Sequence, residues 1–243
     1  MQALQSSLSD HALPISSAPI RTSTATAKNV ALLIHELQQL LPASSVILST
    51  ESQRPFECDG LAVYQQLPLI TVIPETVDHV QAILRLCHLY QVPLVPRGAG
   101  TGLCAGAMPH AEGVLLVMTK LNKILHINAN TATATVQPGV RNLALTEAVQ
   151  DLGLYYAPDP SSQIACTIGG NVAENSGGVH CLKYGLTVNN VLQVKLITIE
   201  GQLITLGGEG LDEPGMDLLS LFIGSEGLLG VVVEVKVKLL PRA

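Results

Sequence analysis

The run Pro96-Arg97-Gly98-Ala99-Gly100-Thr101-Gly102 follows directly on a short apolar stretch, Pro93 to Val95, and constrains this chain more than any other feature. Glycines at alternate positions let the backbone turn tightly and leave no side chain between it and a ligand. Successive N–H groups exposed in such a turn form a concavity for an anion, and a pyrophosphate is its natural occupant. Gly100, Gly102 and Ala105 satisfy the permissive dinucleotide pattern G-x-G-x-x-A. That pattern works only with a helix opening at the glycines and an acidic residue about 20 positions on. Gly106 and Pro109 interrupt any such helix, and Glu112 is the only acid in the stretch that follows. The sequence therefore predicts a phosphate-cradling loop without a Rossmann helix behind it. The absence of G-x-x-x-x-G-K-[ST] disfavours a P-loop nucleotidase.

Around this loop the apolar pattern changes period. Apolar residues make up 47% of the 243-residue chain, aromatics only 3% with no Trp, so the core is built from Val, Leu, Ile and Ala. That composition favours many short buried strands. Asn29 to Leu41 carries Val30, Leu33, Leu37 and Leu40 at helical spacing, with Asn29 as cap and Pro42 as stop. Short strands are expected near Leu61 to Tyr64 and Leu69 to Ile73. Pro74 and Glu75 then open a second helix with Val77, Val80, Leu84 and Cys87 on one face. Strands at Pro93 to Pro96 and Gly113 to Met118 complete a small parallel β-α-β unit. From Ile124 onward the reading is antiparallel. One hairpin turns at Ala129 and Asn130, another at Gly201, and Val231 to Leu240 alternates strictly between apolar and polar or charged. The boundary between the two lobes falls near residue 120. Residues 1–28, rich in Ser, Thr and Ala and lacking the apolar region of a secretory signal, read as a disordered tail rather than an organellar targeting peptide.

Several function classes drop out. The net charge is −6 and no basic block occurs, which argues against nucleic acid as a partner. No stretch approaches 18 uninterrupted apolar residues, so no transmembrane segment is expected. Cys58, Cys87, Cys104, Cys166 and Cys181 are odd in number, widely spaced and without C-x-x-C. They read as free thiols in a reducing compartment, not as a disulfide frame or zinc site. His180 and Cys181 are adjacent but have no distant ligand to join, so no metal site is expected and a structural role is assigned to them.

Two further stretches carry chemistry. Pro158 to Gly185 holds two Gly-Gly pairs, with Ser, Thr and Asn throughout. Its small donors and flexible backbone suit wrapping a flat, hydrogen-bond-rich ligand, and an ordinary polar loop is the alternative. Gly224-Ser225-Glu226-Gly227-Leu228-Leu229-Gly230-Val231 is a turn running into the last strand. Arg97 has two open roles, neutralising a phosphate or orienting the loop through backbone carbonyls. Asp59 either caps a turn or faces the ligand, with the turn favoured.

In this order and spacing, Phe56 to Leu61 (FECDGL), Val95 to Pro109, the PDPSSQ…TIGGNVAENSGG…KYG run and Gly224 to Val232 resemble the FAD-binding domain of the vanillyl-alcohol oxidase/p-cresol methylhydroxylase (PCMH) superfamily. The branch with D-lactate dehydrogenase, D-2-hydroxyglutarate dehydrogenase and a glycolate oxidase subunit is the most similar. The resemblance implies an α+β fold, a two-lobed PCMH-type domain over residues 29–243. Its parts are a small parallel β-α-β lobe and a larger, mostly antiparallel sheet with helices, with extended FAD between them. It implies that Pro96, Arg97, Gly98, Ala99, Gly100, Thr101 and Gly102 hold the pyrophosphate. Ser161, Ser162, Thr167, Gly169, Gly170, Asn175 and Gly177 would line the flavin and ribityl chain, and Glu226, Gly227, Gly230 and Val231 would lie near the adenine. Relatives with covalent flavin often carry His where this chain has Thr101 and Gly102, so noncovalent FAD is expected, with no link at Cys166. The resemblance further implies a cytoplasmic oxidoreductase that passes hydride from a D-2-hydroxy acid, such as glycolate or D-lactate, to flavin N5. Partner subunits would take the electrons and could hold it at a membrane periphery. The cap domain that would supply acid–base and metal-binding residues is expected to be missing, so no catalytic residue is assigned. The alternative is a noncatalytic FAD-binding subunit or a truncated remnant that needs another chain.

Overall fold

The computed structural model describes residues 26–208 and 215–242, so the expected tail lies outside the described residues except for its last three positions. Two of these already belong to the first helix, α1 (Ala27–Leu40). The cap is Thr26, whose hydroxyl accepts from Asn29 N at 3.2 Å. Asn29, expected as the cap, instead donates from its side chain to Tyr90 O. Thr caps nearly as well as Asn, and Ala and Lys favour helix, so the earlier start is the more stable one.

β1 (Val46–Ile47) and α2 (Thr50–Gln53) follow, then β2 (Ile70–Val72), α3 (Val77–Tyr90), β3 (Leu94–Arg97) and β4 (Val114–Val117). These four strands form one sheet in the order β1-β2-β4-β3, in which β4 pairs in parallel with β2 and β3. β4, flanked on both sides, is buried at all four positions, as expected of a strand covered on both faces. The strand expected at Leu61 to Tyr64 does not form. Val63 and Tyr64 are exposed, and their segment has no neighbour to bury its apolar positions. Its place at the edge is taken by β1, too short to show a period.

The chain then builds β5 (Ile124–Asn128), β6 (Thr133–Val136), α4 (Asn142–Val149), β7 (Leu154–Tyr155), α5 (Ile168–Glu174), α6 (Cys181–Tyr184), β8 (Val191–Ile197), β9 (Leu203–Gly207), α7 (Leu218–Phe222), β10 (Val231–Lys238) and β11 (Leu240–Pro241). The second sheet, β5-β6-β10-β8-β9, is antiparallel throughout. The strict alternation of the last segment is the signature of β10, the middle strand of the sheet, with Val233, Val235, Val237 and Leu239 buried. The Pro158 to Gly185 run is not all loop: it contains α5 and α6, two helices too short for apolar periodicity to reveal.

β10 also joins the lobes. Val231 and Val233 pack into the core of the parallel sheet, whereas Val232, Val235 and Val237 belong to the core of the antiparallel one. Gln81 Nε2 and Arg85 Nη2 on α3 donate to Gly201 O in the β8–β9 turn, at 2.7 and 3.2 Å. The interface between the sheets is thus fixed by the fold itself.

Thr76 caps α3 by accepting from His79 N at 3.1 Å. Thr76→Ala is expected to cost about 1 kcal/mol in urea denaturation while leaving ligand binding unchanged. An unchanged unfolding midpoint would show that the hydroxyl contributes nothing.

Candidate functional site

Between the two sheets lies a cavity of about 540 Å³. Its wall is built by three segments far apart in sequence, and the glycines explain why they can meet. Gly98, where β3 ends, faces α5, and a Cβ there would run into the Thr167 hydroxyl. Gly100 has φ +70° and covers the Arg97 guanidinium so closely that a side chain would collide with it. Gly227 (φ +83°) packs on the Pro96 ring in the same way. The loop after β3 forms no helix through residue 113.

Two side chains brace the loop from below. Arg97, only 6% exposed, donates from Nη1 to Ala107 O at 3.2 Å and to Phe56 O at 3.5 Å, and sits 5.9 Å from the Phe56 ring centre. Of its two open roles, the structure supports orienting the loop through carbonyls. Burial lowers the Arg97 pKa, and Cys58 and Asp59 oppose that shift. Asp59, also buried, accepts from Leu61 N at 3.0 Å and from Ala105 N at 2.8 Å, while Gly60 N donates to Gly102 O at 2.9 Å. The FECDGL motif thus makes its own turn and ties down the glycine loop across 46 positions of sequence.

α5 is capped by Thr167, whose hydroxyl accepts from Gly170 N at 3.2 Å. Gly169 lets the helix lie on Pro138. Asn175, left-handed at φ +50°, ends the helix and accepts from Val188 N. The turn before β10 is bonded to α5 by Gly224 N to Val172 O and Glu226 N to Ala173 O, both 2.9 Å. Glu226 is itself left-handed at φ +51°, a conformation a non-glycine residue keeps only when its surroundings impose it.

All the candidate residues of the three glycine-rich segments line this one cavity: Pro96 through Gly102, then Ser161, Ser162, Thr167, Gly169, Gly170, Asn175 and Gly177, and Glu226, Gly227, Gly230 and Val231. Met118, Pro138 and Phe222 join the lining from outside the three glycine-rich segments, because tertiary packing brings them there. Asn171, Glu174 and Gly106 also line it; they lie within the motifs but carry no distinguishing signal of their own. His180 stands outside the lining, exposed, with Nδ1 2.6 Å from Asp159 Oδ2. All five thiols are free.

Among the described residues, the lining contains one base, Arg97, and two acids, Glu174 and Glu226. Burial, then Glu226 and Asp59, hold the Glu174 carboxyl above its usual range. The Cys104 thiol is raised chiefly by Glu174. Of the four buried side-chain polar atoms without a hydrogen-bond partner among the described residues, Asn171 Nδ2, on a residue 1% exposed, is the one in this lining, with the Cys166 thiol beside it. An orphaned amide donor in a cavity wall is costly unless a ligand accepts from it.

A cavity between two lobes, floored by bare backbone at a strand end and walled by small donors, defines a nucleotide-cofactor domain. The comparisons with known proteins specify which. The FAD binding domain model matches residues 68–207, more than half of the chain, and the protein belongs to that family. It is 57% identical over 206 residues to glycolate oxidase subunit GlcD of Escherichia coli K12, covering 85% of this chain and 41% of that one. It is 37% identical over 208 residues to D-2-hydroxyglutarate dehydrogenase of Stutzerimonas stutzeri A1501, covering 85% of this chain and 45% of the relative. The solved structure of alkyldihydroxyacetonephosphate synthase superposes with a TM-score of 0.76 at 23% identity over 87% of this chain and 40% of its own, which shows the shared PCMH-type fold. The chain spans less than half the length of the curated relatives it matches. FAD fits the residues present: Gly98, Gly100 and Gly227 carry no side chain where the segments close around the cavity, and Asn171 offers an amide donor in its wall. Among the described residues no helix is long and apolar enough to cross a membrane.

Proposed function

We propose that this domain binds FAD noncovalently for the oxidation of a D-2-hydroxy acid such as glycolate or D-lactate, with the electrons passing on to a partner subunit or acceptor. The observation that carries the reading is the convergence of all three glycine-rich segments on one cavity between the lobes. Pro96 through Gly102 would present backbone N–H groups to the diphosphate, with Arg97 holding the loop from behind. Ser161, Ser162, Thr167, Gly169, Gly170, Asn175 and Gly177 would flank the isoalloxazine and ribityl chain, and Asn171 Nδ2 would find its acceptor there. Glu226, Gly227, Gly230 and Val231 would border the adenine end. Bound FAD supplies the hydride acceptor; the chain's own residues orient it and exclude water around it.

The substrate class rests on the similarity to GlcD and to D-2-hydroxyglutarate dehydrogenase. Among the described residues no histidine lines the cavity, and its acids lie on α5 and on the turn before β10. The 243-residue chain is therefore expected to purify yellow, to release unmodified FAD on acid precipitation, and to bleach only slowly with glycolate or D-lactate under anaerobic conditions. A chain that retains no FAD would overturn the cofactor assignment. A protein mass raised by the flavin after denaturation would overturn noncovalent binding, and rapid bleaching would show that the acid–base groups reside in this chain.

A further inference from the structure

We propose that Glu174 holds a proton when FAD is seated, so that the cofactor and a proton bind together and the protonated acid forms part of the binding site. The inference deepens the FAD reading and rests on it.

The pair is built into the fold. Glu174 is the last residue of α5, and Glu226 lies in the turn that two backbone hydrogen bonds fasten to the same helix. The carboxylate oxygens of the two and the Cys104 sulfur all lie within 4.8 Å of one another. The Glu174 carboxylate lies against Gly102 of the loop assigned to the diphosphate, and Glu226 against Gly106, just beyond that loop. The other charged or titratable groups facing Glu174 are Cys104, from the loop after β3, and Asp59, from the segment before β2. Neither is a cation. Arg97, the only base in the lining among the described residues, directs its guanidinium at the carbonyls of Phe56 and Ala107.

Burial disfavours the ionised form of Glu174, and the neighbouring Glu226 and Asp59 add to the effect. A diphosphate brings further negative charge to the same wall. One proton relieves both repulsions and turns an acceptor into a donor able to bond the ligand. The sign follows: Glu174 keeps its proton to higher pH in the FAD-bound protein than in the free one. Affinity therefore falls as pH rises between the two protonation ranges, by up to about tenfold per pH unit for one linked proton.

The test is calorimetric titration of FAD into the flavin-free 243-residue protein, with EDTA present, in two buffers of different ionisation enthalpy across about pH 6 to 8.5. The expected result is net uptake approaching one proton per FAD over part of that range, with Kd rising as pH rises. Glu174→Gln should abolish the uptake, flatten the pH dependence and bind FAD at least as tightly as wild type near the alkaline end. Absence of proton uptake by the wild-type protein, which needs no variant to fold, would overturn the inference. So would uptake that survives in Glu174→Gln. FAD that fails to bind the wild type at every pH is a different result and removes the cofactor assignment itself.

Discussion

Gly98→Val is expected to give a folded, colourless protein. The residue sits where β3 delivers the chain into the cavity, and its Cα hydrogens face the Thr167 hydroxyl with no room for a Cβ. A branched side chain there forces one of two displacements. Either the loop lifts, and its N–H groups leave the positions needed for a diphosphate, or Thr167 yields and α5 loses the cap at Gly170 N. The second route costs about 1 kcal/mol of stability. The first removes the concavity itself, and FAD affinity should drop by at least about 100-fold, which corresponds to roughly 2.7 kcal/mol. Flavin fluorescence titration measures the affinity and urea denaturation the stability. Gly98→Ala should fall between, and Thr167→Gly in the Gly98→Ala background should recover part of the affinity by removing the opposing hydroxyl. A Gly98→Val protein that purifies yellow without losing the roughly 1 kcal/mol of the Thr167 cap would show that the glycine loop is not the diphosphate site.

The loop was legible because glycine spacing after an apolar stretch reports a backbone requirement, and backbone requirements are local. The same holds for α3 and β10, whose apolar periods, 3.6 in one and 2 in the other, are long enough to read. What escaped the sequence was set by distant contacts. β1 exists only because β2 offers an edge, and its two residues carry no period. α5 hides in a run of glycine and polar residues, because its stability comes from packing Ile168 and Val172 into the core, against propensity. Glu174 lay in plain view in AEN, yet its significance depends on Glu226, which stands 52 positions away and is brought near only by the bonds between α5 and the turn. The two roles left open for Arg97 had the same cause: charge and size were readable, but the carbonyls it reaches belong to residues 56 and 107.

Those carbonyls set the second large expected effect. Arg97→Ala should destabilise the protein by about 2–4 kcal/mol, because it removes a buried side chain that fills the space under Gly100 and leaves the half-buried Ala107 and Phe56 oxygens without their donor. It should also weaken FAD by at least about tenfold, since the chain after the loop loses the donor that ties Ala107 to Phe56. Arg97→Met separates the two contributions. The methionine restores most of the volume and part of the stability, but it bridges no carbonyls, so affinity should stay low. Arg97→Lys keeps the charge and a single donor nitrogen, but without the planar guanidinium that places Nη1 at both carbonyls it should recover stability better than affinity. Urea denaturation of the flavin-free and FAD-loaded proteins gives both numbers, because a weakened cofactor also contributes less to the stability of the loaded form. If Arg97→Met bound FAD as tightly as wild type, the guanidinium would be a packing element only, and the loop would owe its shape to Asp59 and the glycines alone.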